Sequence, residues 1–185
     1  MIIIGVTGTD GAGKGTVVDY LVNQNGFALY HARALLLAEI ERQGLPPTRA
    51  SMRIAGNYLR SQHGNDYVVT HFLAQAKETG DQKIAIDSLR TIAEATTLKA
   101  HGGILLAVDA DQHLRYERVQ ARRSSSDQVT FEQFKEQEDL ENNDPDPHGM
   151  QKRKVIAMAD YVIQNDGTLE ALHQKIDEVL TRIEA

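Results

Sequence analysis

Gly8-Thr9-Asp10-Gly11-Ala12-Gly13-Lys14-Gly15-Thr16 decides the fold because of what stands on either side of it. Met1-Ile-Ile-Ile-Gly-Val6 is a short apolar, β-prone run, whereas Val17, Val18, Leu21 and Val22 recur at the spacing of one helix face. Strand, glycine loop and helix together form the context that a phosphate-binding loop requires. Glycines at 8, 11, 13 and 15 admit dihedrals that a Cβ forbids, so successive N–H groups can converge on phosphate oxygens near a helix N-terminus. Lys14 adds a mobile point charge for the β- and γ-phosphates, and its place on a loop implies an exposed side chain. The alternative is a glycine-rich turn before an ordinary helix.

Working outward, short β-prone runs recur at Ile2 to Val6, Phe27 to Tyr30, Lys83 to Asp87, Gly103 to Asp109 and Tyr161 to Gln164. Helical stretches separate them, which predicts an α/β fold, a five-stranded parallel sheet flanked by crossover helices. Three helices near 33 to 43, 48 to 62 and 66 to 79 fill a connection far longer than a crossover needs. That insertion either binds a second substrate or completes one face of the domain. Thr130 with Gln133 forms a capping box, Val129 and Phe134 are spaced for a hydrophobic staple, and Thr168 caps the last amphipathic helix. Arg122 to Gln128 then reads as a short polar loop, and Lys152-Arg-Lys154 as a solvated face.

The chain has 185 residues, 41% of them apolar and 25% charged, with a formal charge of −6 and no cysteine. One globular domain spanning 1–185 follows, without disulfides or thiolate metal sites. An acidic chain with no basic stripe is a poor match for duplex nucleic acid. The first apolar run is too short for a signal peptide and no run suits a membrane span, so a cytoplasmic protein without a membrane partner is expected.

Ile84-Ala-Ile-Asp87 sets a carboxylate at the end of a buried strand, the Walker-B position for Mg²⁺, or else a simple cap for the next helix. Arg115, Arg118 and Arg122 follow the fourth strand at helical spacing, largely along one face.

These motifs carry a family resemblance. The loop variant G-x-x-G-x-G-K-G-T resembles that of adenylate kinases, while Asp10-Gly11 looks more like thymidylate kinases, since adenylate kinases usually have Pro-Gly there. Gly15 replaces the hydroxyl residue of the general P-loop pattern, and Thr16 follows one position later. Asp87-Ser-Leu-Arg90 resembles the D-G-[FY]-P-R of adenylate kinases and the D-G-I-R of related archaeal P-loop proteins. Ala159 to Leu169 is similar to the A-D-x-x-I-x-N-x-G-T-L of dephospho-CoA kinases and of archaeal adenylate-kinase-related proteins. Over nearly its whole length the chain resembles a nucleoside-monophosphate-kinase-like P-loop kinase.

The resemblance implies a P-loop NTPase fold with an acceptor-binding insertion at 33–79, a lid region at 111–146, and closure of 33–79 and 122–146 over the substrates. It implies that Gly8, Asp10, Gly11, Ala12, Gly13, Lys14, Gly15 and Thr16 bind ATP, with Asn165 and Gly167 along the adenine. Thr16 and Asp87 would serve Mg²⁺, and Arg33 and Arg90 the acceptor. Lys14, Asp87, Arg118 and Arg122 would be catalytic, the two lid arginines closing over the triphosphate; an isolated Arg-rich helix would instead be a solvated face. Two departures stand out. The adenylate-kinase arginine of the first insertion helix is Leu37 here, leaving Arg33, and the D-A-D-x-x-A-R of dephospho-CoA kinases survives only as Ala32-Arg33.

The expected activity is transfer of the γ-phosphoryl group of Mg-ATP to a small nucleotide acceptor, a nucleoside monophosphate before a ribose hydroxyl. A phosphate dianion needs positioning arginines and no base, and residues 30 to 33 carry no acid. Asp10 and Asp66 are the alternative bases. A non-catalytic nucleotide-binding module is the rival from another class, and the lack of an N-K-x-D motif disfavours a GTPase switch. The oligomeric state has no signal in the sequence.

Overall fold

The computed structural model describes residues 1–122 and 129–184. Its elements are β1 (Ile2–Gly8), α1 (Lys14–Asn25), β2 (Ala28–His31), α2 (Ala32–Arg42), α3 (Arg49–His63), α4 (Tyr67–Thr79) and β3 (Lys83–Asp87). There follow α5 (Ile92–Ala100), β4 (Ile104–Asp109), α6 (Gln112–Ala121), α7 (Phe131–Asn142), α8 (Lys152–Ala157), β5 (Tyr161–Gln164) and α9 (Leu169–Glu184). The five strands form one sheet in the order β2-β3-β1-β4-β5, and every pairing is parallel.

Both faces of this sheet are covered, which is why its strands read as nearly continuous apolar runs. Side chains alternate across the pleat: Ile4, Val6, Leu106 and Val108 pack against α1 and α9, while Ile3, Ile84, Ile86 and Leu105 pack against α4, α5 and α8. The α9 stripe of Leu172, Ile176, Val179 and Leu180 is buried, and Thr168 Oγ1 accepts from Ala171 N at its start. The Thr130–Gln133 capping box forms in full and Phe134 is buried. Among the described residues no helix is long and apolar enough to cross a membrane.

The strand order reverses beside β1, so the loops leaving β1, β3 and β4 open at one crevice above their carboxyl ends, where open α/β sheets take ligands.

Candidate active site

The glycine loop fits its surroundings too tightly for side chains. Gly11 lies at φ +82°, and a Cβ there would stand 2.4 Å from the Arg115 carbonyl oxygen. Gly13, at φ +97°, caps α1, and a Cβ on it would meet Asn165 Nδ2 at 2.5 Å. That amide instead donates to the Ala12 carbonyl at 2.8 Å. Asn165 is therefore a brace for the loop backbone, a use that leaves its Nδ2 engaged with protein.

Lys14 Nζ donates to the carbonyls of Thr9 at 2.7 Å and Gly8 at 3.2 Å and lies 3.5 Å from Asp10 Oδ1. Its side chain is only 12% exposed, contrary to the exposed position expected of a loop lysine. Burial lowers its pKa from 10.5 to about 8; Asp10 opposes the shift, and Arg90 and Lys152 reinforce it.

Lys152 departs furthest from the sequence reading. It is 2% exposed rather than part of a solvated face, whereas Arg153 and Lys154 are indeed exposed. Its ammonium pairs with Glu141 and lies 3.2 Å from Asp10 Oδ1. The helix α8 packs its apolar residue Val155 into the core, which turns Lys152 inward toward the loop.

Asp87 ends β3 and is largely buried. Ser88 follows at φ +67°, a left-handed conformation rarely taken by non-glycine residues, and its hydroxyl donates to Asp87 Oδ1 at 2.9 Å. His31 Nδ1 lies 2.9 Å from Asp87 Oδ2, a close approach without the alignment of a hydrogen bond. Arg90 donates to Glu141 Oε2 at 3.3 Å. Burial opposes its charge, but Asp10, Glu141, Asp87 and Glu94 outweigh that cost and raise its pKa.

Glu94 organises this turn from below. It is fully buried, takes the N–H groups of Arg90 and Thr91 on Oε2, and holds Arg60 at 3.0 Å through Oε1. Arg53 reaches Asp144 at 3.2 Å. Both arginines, with Arg33, Arg90, His31 and Asp87, line one cavity of about 510 Å³ that extends to Lys14 and Gly15. Asp66 is not among its lining residues and accepts from Thr97 Oγ1 at 2.8 Å.

On α6, Arg115 is buried, donates to Ala110 and Asp10 carbonyls, and grips Glu138 with both terminal nitrogens. It ties the glycine loop to α7. Arg118 and Arg122 instead line a second cavity of about 300 Å³ with Gly13, Thr16, Asn165 and Gly167. Arg118 Nη1 is buried there and has no hydrogen-bond partner among the described residues, and exposed Arg122 borders both cavities. Residues 123–128 of the expected polar lid loop lie outside the described residues.

Asp87 lines the larger cavity and Thr16 the smaller, and the two cavities share Gly11, Gly13 and Arg122. Among the described residues no three His, Cys, Asp or Glu side chains gather to hold a metal. Asp87, one of three carboxylates that line the larger cavity with Asp10 and Glu141, fits a cation that arrives on a nucleotide and keeps most of its waters, the usual manner of Mg²⁺.

The AAA domain family model matches residues 4–144, which include the glycine loop, Asp87, Arg90, Arg118 and Arg122. A UPF0200 protein of Thermococcus onnurineus is 30% identical, covering 99% of this chain and 98% of its own. The chain belongs to the UPF0200 family of AAA-domain proteins. A second UPF0200 protein, from Hyperthermus butylicus, is 26% identical over 98% of this chain and 95% of its own. Among solved structures, shikimate kinase from Bacteroides thetaiotaomicron superposes with a TM-score of 0.63 at 15% identity, covering 97% of this chain and 98% of that one. Dephospho-CoA kinase from Campylobacter jejuni gives 0.56 at 15% identity, over 98% and 96%. These two likenesses establish a kinase-like P-loop fold.

Sequence reasoning missed His31, Arg53, Arg60, Glu94, Glu141 and Lys152. A signal existed for Glu94, since Thr91-x-x-Glu94 is a capping box written in the sequence and both of its bonds form.

Proposed function

We propose that this chain moves the γ-phosphoryl group of ATP to a small anionic acceptor, a nucleoside monophosphate first. The observation that carries the reading is the single cavity lined both by Lys14 and the glycine loop and by Arg33, Arg53, Arg60 and Arg90. A donor gripped by the loop and an acceptor gripped by the arginines would meet inside it. The second cavity, beside Thr16, Asn165 and Gly167, suits the donor's base and sugar.

In the transfer, the bond from the bridging oxygen to the γ-phosphorus breaks and an acceptor oxygen bonds to that phosphorus, leaving ADP. A nucleoside monophosphate, with a second pKa of about 6, arrives at neutral pH as a dianion and gives up no proton. Lys14, Arg118 and Arg122 neutralise the moving charge, and Arg33 and Arg90 hold the acceptor. Asp87 is the residue that would hold Mg²⁺, which when bound screens the phosphate charge.

One observation favours a second reading, a hydroxyl acceptor. His31, 2.9 Å from Asp87 on the cavity wall, would serve as the proton acceptor in place of the acids absent at 30 to 33. Incubation with ATP and each of nucleoside monophosphates, deoxynucleoside monophosphates and dephospho-CoA, with products identified by mass, separates the two. Nucleoside diphosphate formation is expected; CoA formation alone would transfer the assignment to the hydroxyl reading.

A further inference from the structure

Asp10 presents a difficulty for a loop that receives a polyphosphate: it sets a carboxylate among the groups meant to attract anions. The neighbours of that carboxylate resolve it. Around Asp10 Oδ1 stand Lys152 Nζ at 3.2 Å, Lys14 Nζ at 3.5 Å and Arg90 Nη2 at 3.9 Å. The three cations come from α8, the start of α1 and the turn after β3, elements distant in sequence that converge on one oxygen.

Such convergence is the electrostatic form of an anion site. Lys14 and Arg90 line the larger cavity. Lys152 shares Asp10 with Lys14 and shares Glu141 with Arg90, so it is bonded into the same cluster at 2% exposure. A lysine serving only to pin α8 would be balanced by Glu141; its second ion pair, to the phosphate loop's own carboxylate, joins it to the cations that line the cavity, directly behind that lining.

We infer that Lys152 is a phosphoryl-binding residue and that Asp10 Oδ1, in the nucleotide-free protein, occupies the place of an oxygen of the transferring phosphoryl group. When ATP enters, its γ-phosphoryl oxygens replace Asp10 on Lys152, Lys14 and Arg90. The carboxylate thus offsets part of the buried positive charge until the substrate arrives. This assignment rests on the ATP-dependent reading and adds a residue that lies beyond the stretch matched by the family model.

Equilibrium binding of ATP and of ADP at fixed magnesium, without any acceptor, tests it. Lys152→Met is expected to cut the ATP-over-ADP preference roughly ten- to a hundredfold, the worth of a charge-assisted contact, while ADP affinity stays within about twofold. Lys152→Arg should keep most of the preference. Asp10→Asn, which removes the competing charge, should tighten ATP several-fold more than ADP. Because Lys152→Met leaves Glu141 partly unpaired, Lys152→Met with Glu141→Gln repeats the measurement if the single variant is unstable. An unchanged ATP-over-ADP ratio in the lysine variants, or parallel loss of both nucleotides, would make Lys152 a structural tie and overturn the assignment. Failure of the unaltered protein to bind ATP would instead refute the functional reading on which it rests.

Discussion

Lys14 shows how a functional residue can oppose stability. Its pKa falls from 10.5 to about 8 because burial penalises the ammonium. Between those values the unfolded chain holds the proton and the folded one does not, so stability rises with pH across that window; below pH 8 the penalty is present in full. Lys14→Met is therefore expected to raise the melting temperature at pH 7, with the advantage fading as pH approaches 10.5, and to slow transfer by roughly a hundred- to a thousandfold. Thermal unfolding at pH 7 and pH 10, beside a turnover assay, checks both halves. The glycine loop and Lys14 were legible in the sequence because the motif and its flanks are local. Lys152 was not, since nothing in Lys152-Arg-Lys154 tells which of three cations an adjacent apolar residue will turn inward. Position 88 lies between these cases: the resembled motifs carry glycine there, and the positive φ of Ser88 gives that glycine its physical reason.

The elements themselves were readable, for period-two and helical spacings, capping residues and turn-forming runs all act within a few residues. What joins them is not local. Glu94 begins as a helix cap and then holds Arg60, 34 residues away, at the base of the cavity. Glu94→Ala would leave a buried guanidinium unpaired and two N–H groups unsatisfied, costing about 3–5 kcal/mol, measurable by denaturant unfolding. Arg115 and Arg118 on α6 and Arg122 at its C-terminal cap divide their work. Arg115 is committed to Glu138 and the loop carbonyls, whereas Arg118 keeps a buried nitrogen unpartnered among the described residues and Arg122 borders both cavities. Arg118→Ala and Arg122→Ala are expected to lower kcat by about tenfold or more with much smaller changes in ATP affinity, because charge on the phosphoryl group develops in the transition state. Equal losses in the two constants would assign both residues to ground-state binding.

Over the whole molecule, a parallel sheet brings the loops after β1, β3 and β4 to one edge, and the helices α2 and α3 close the far side of the space above them. The fold was legible because strand, glycine loop and helix admit few continuations. The lining of the larger cavity was not, because Arg53, Arg60 and His31 reach it through tertiary packing. The central claim is that this space couples ATP cleavage to an acceptor. ADP release from ATP, followed with and without the panel of nucleoside monophosphates and dephospho-CoA, tests it most directly. The account predicts slow release with ATP alone, a large rise with one acceptor class, and loss of that rise in Lys14→Met; ADP release that no acceptor accelerates would contradict it.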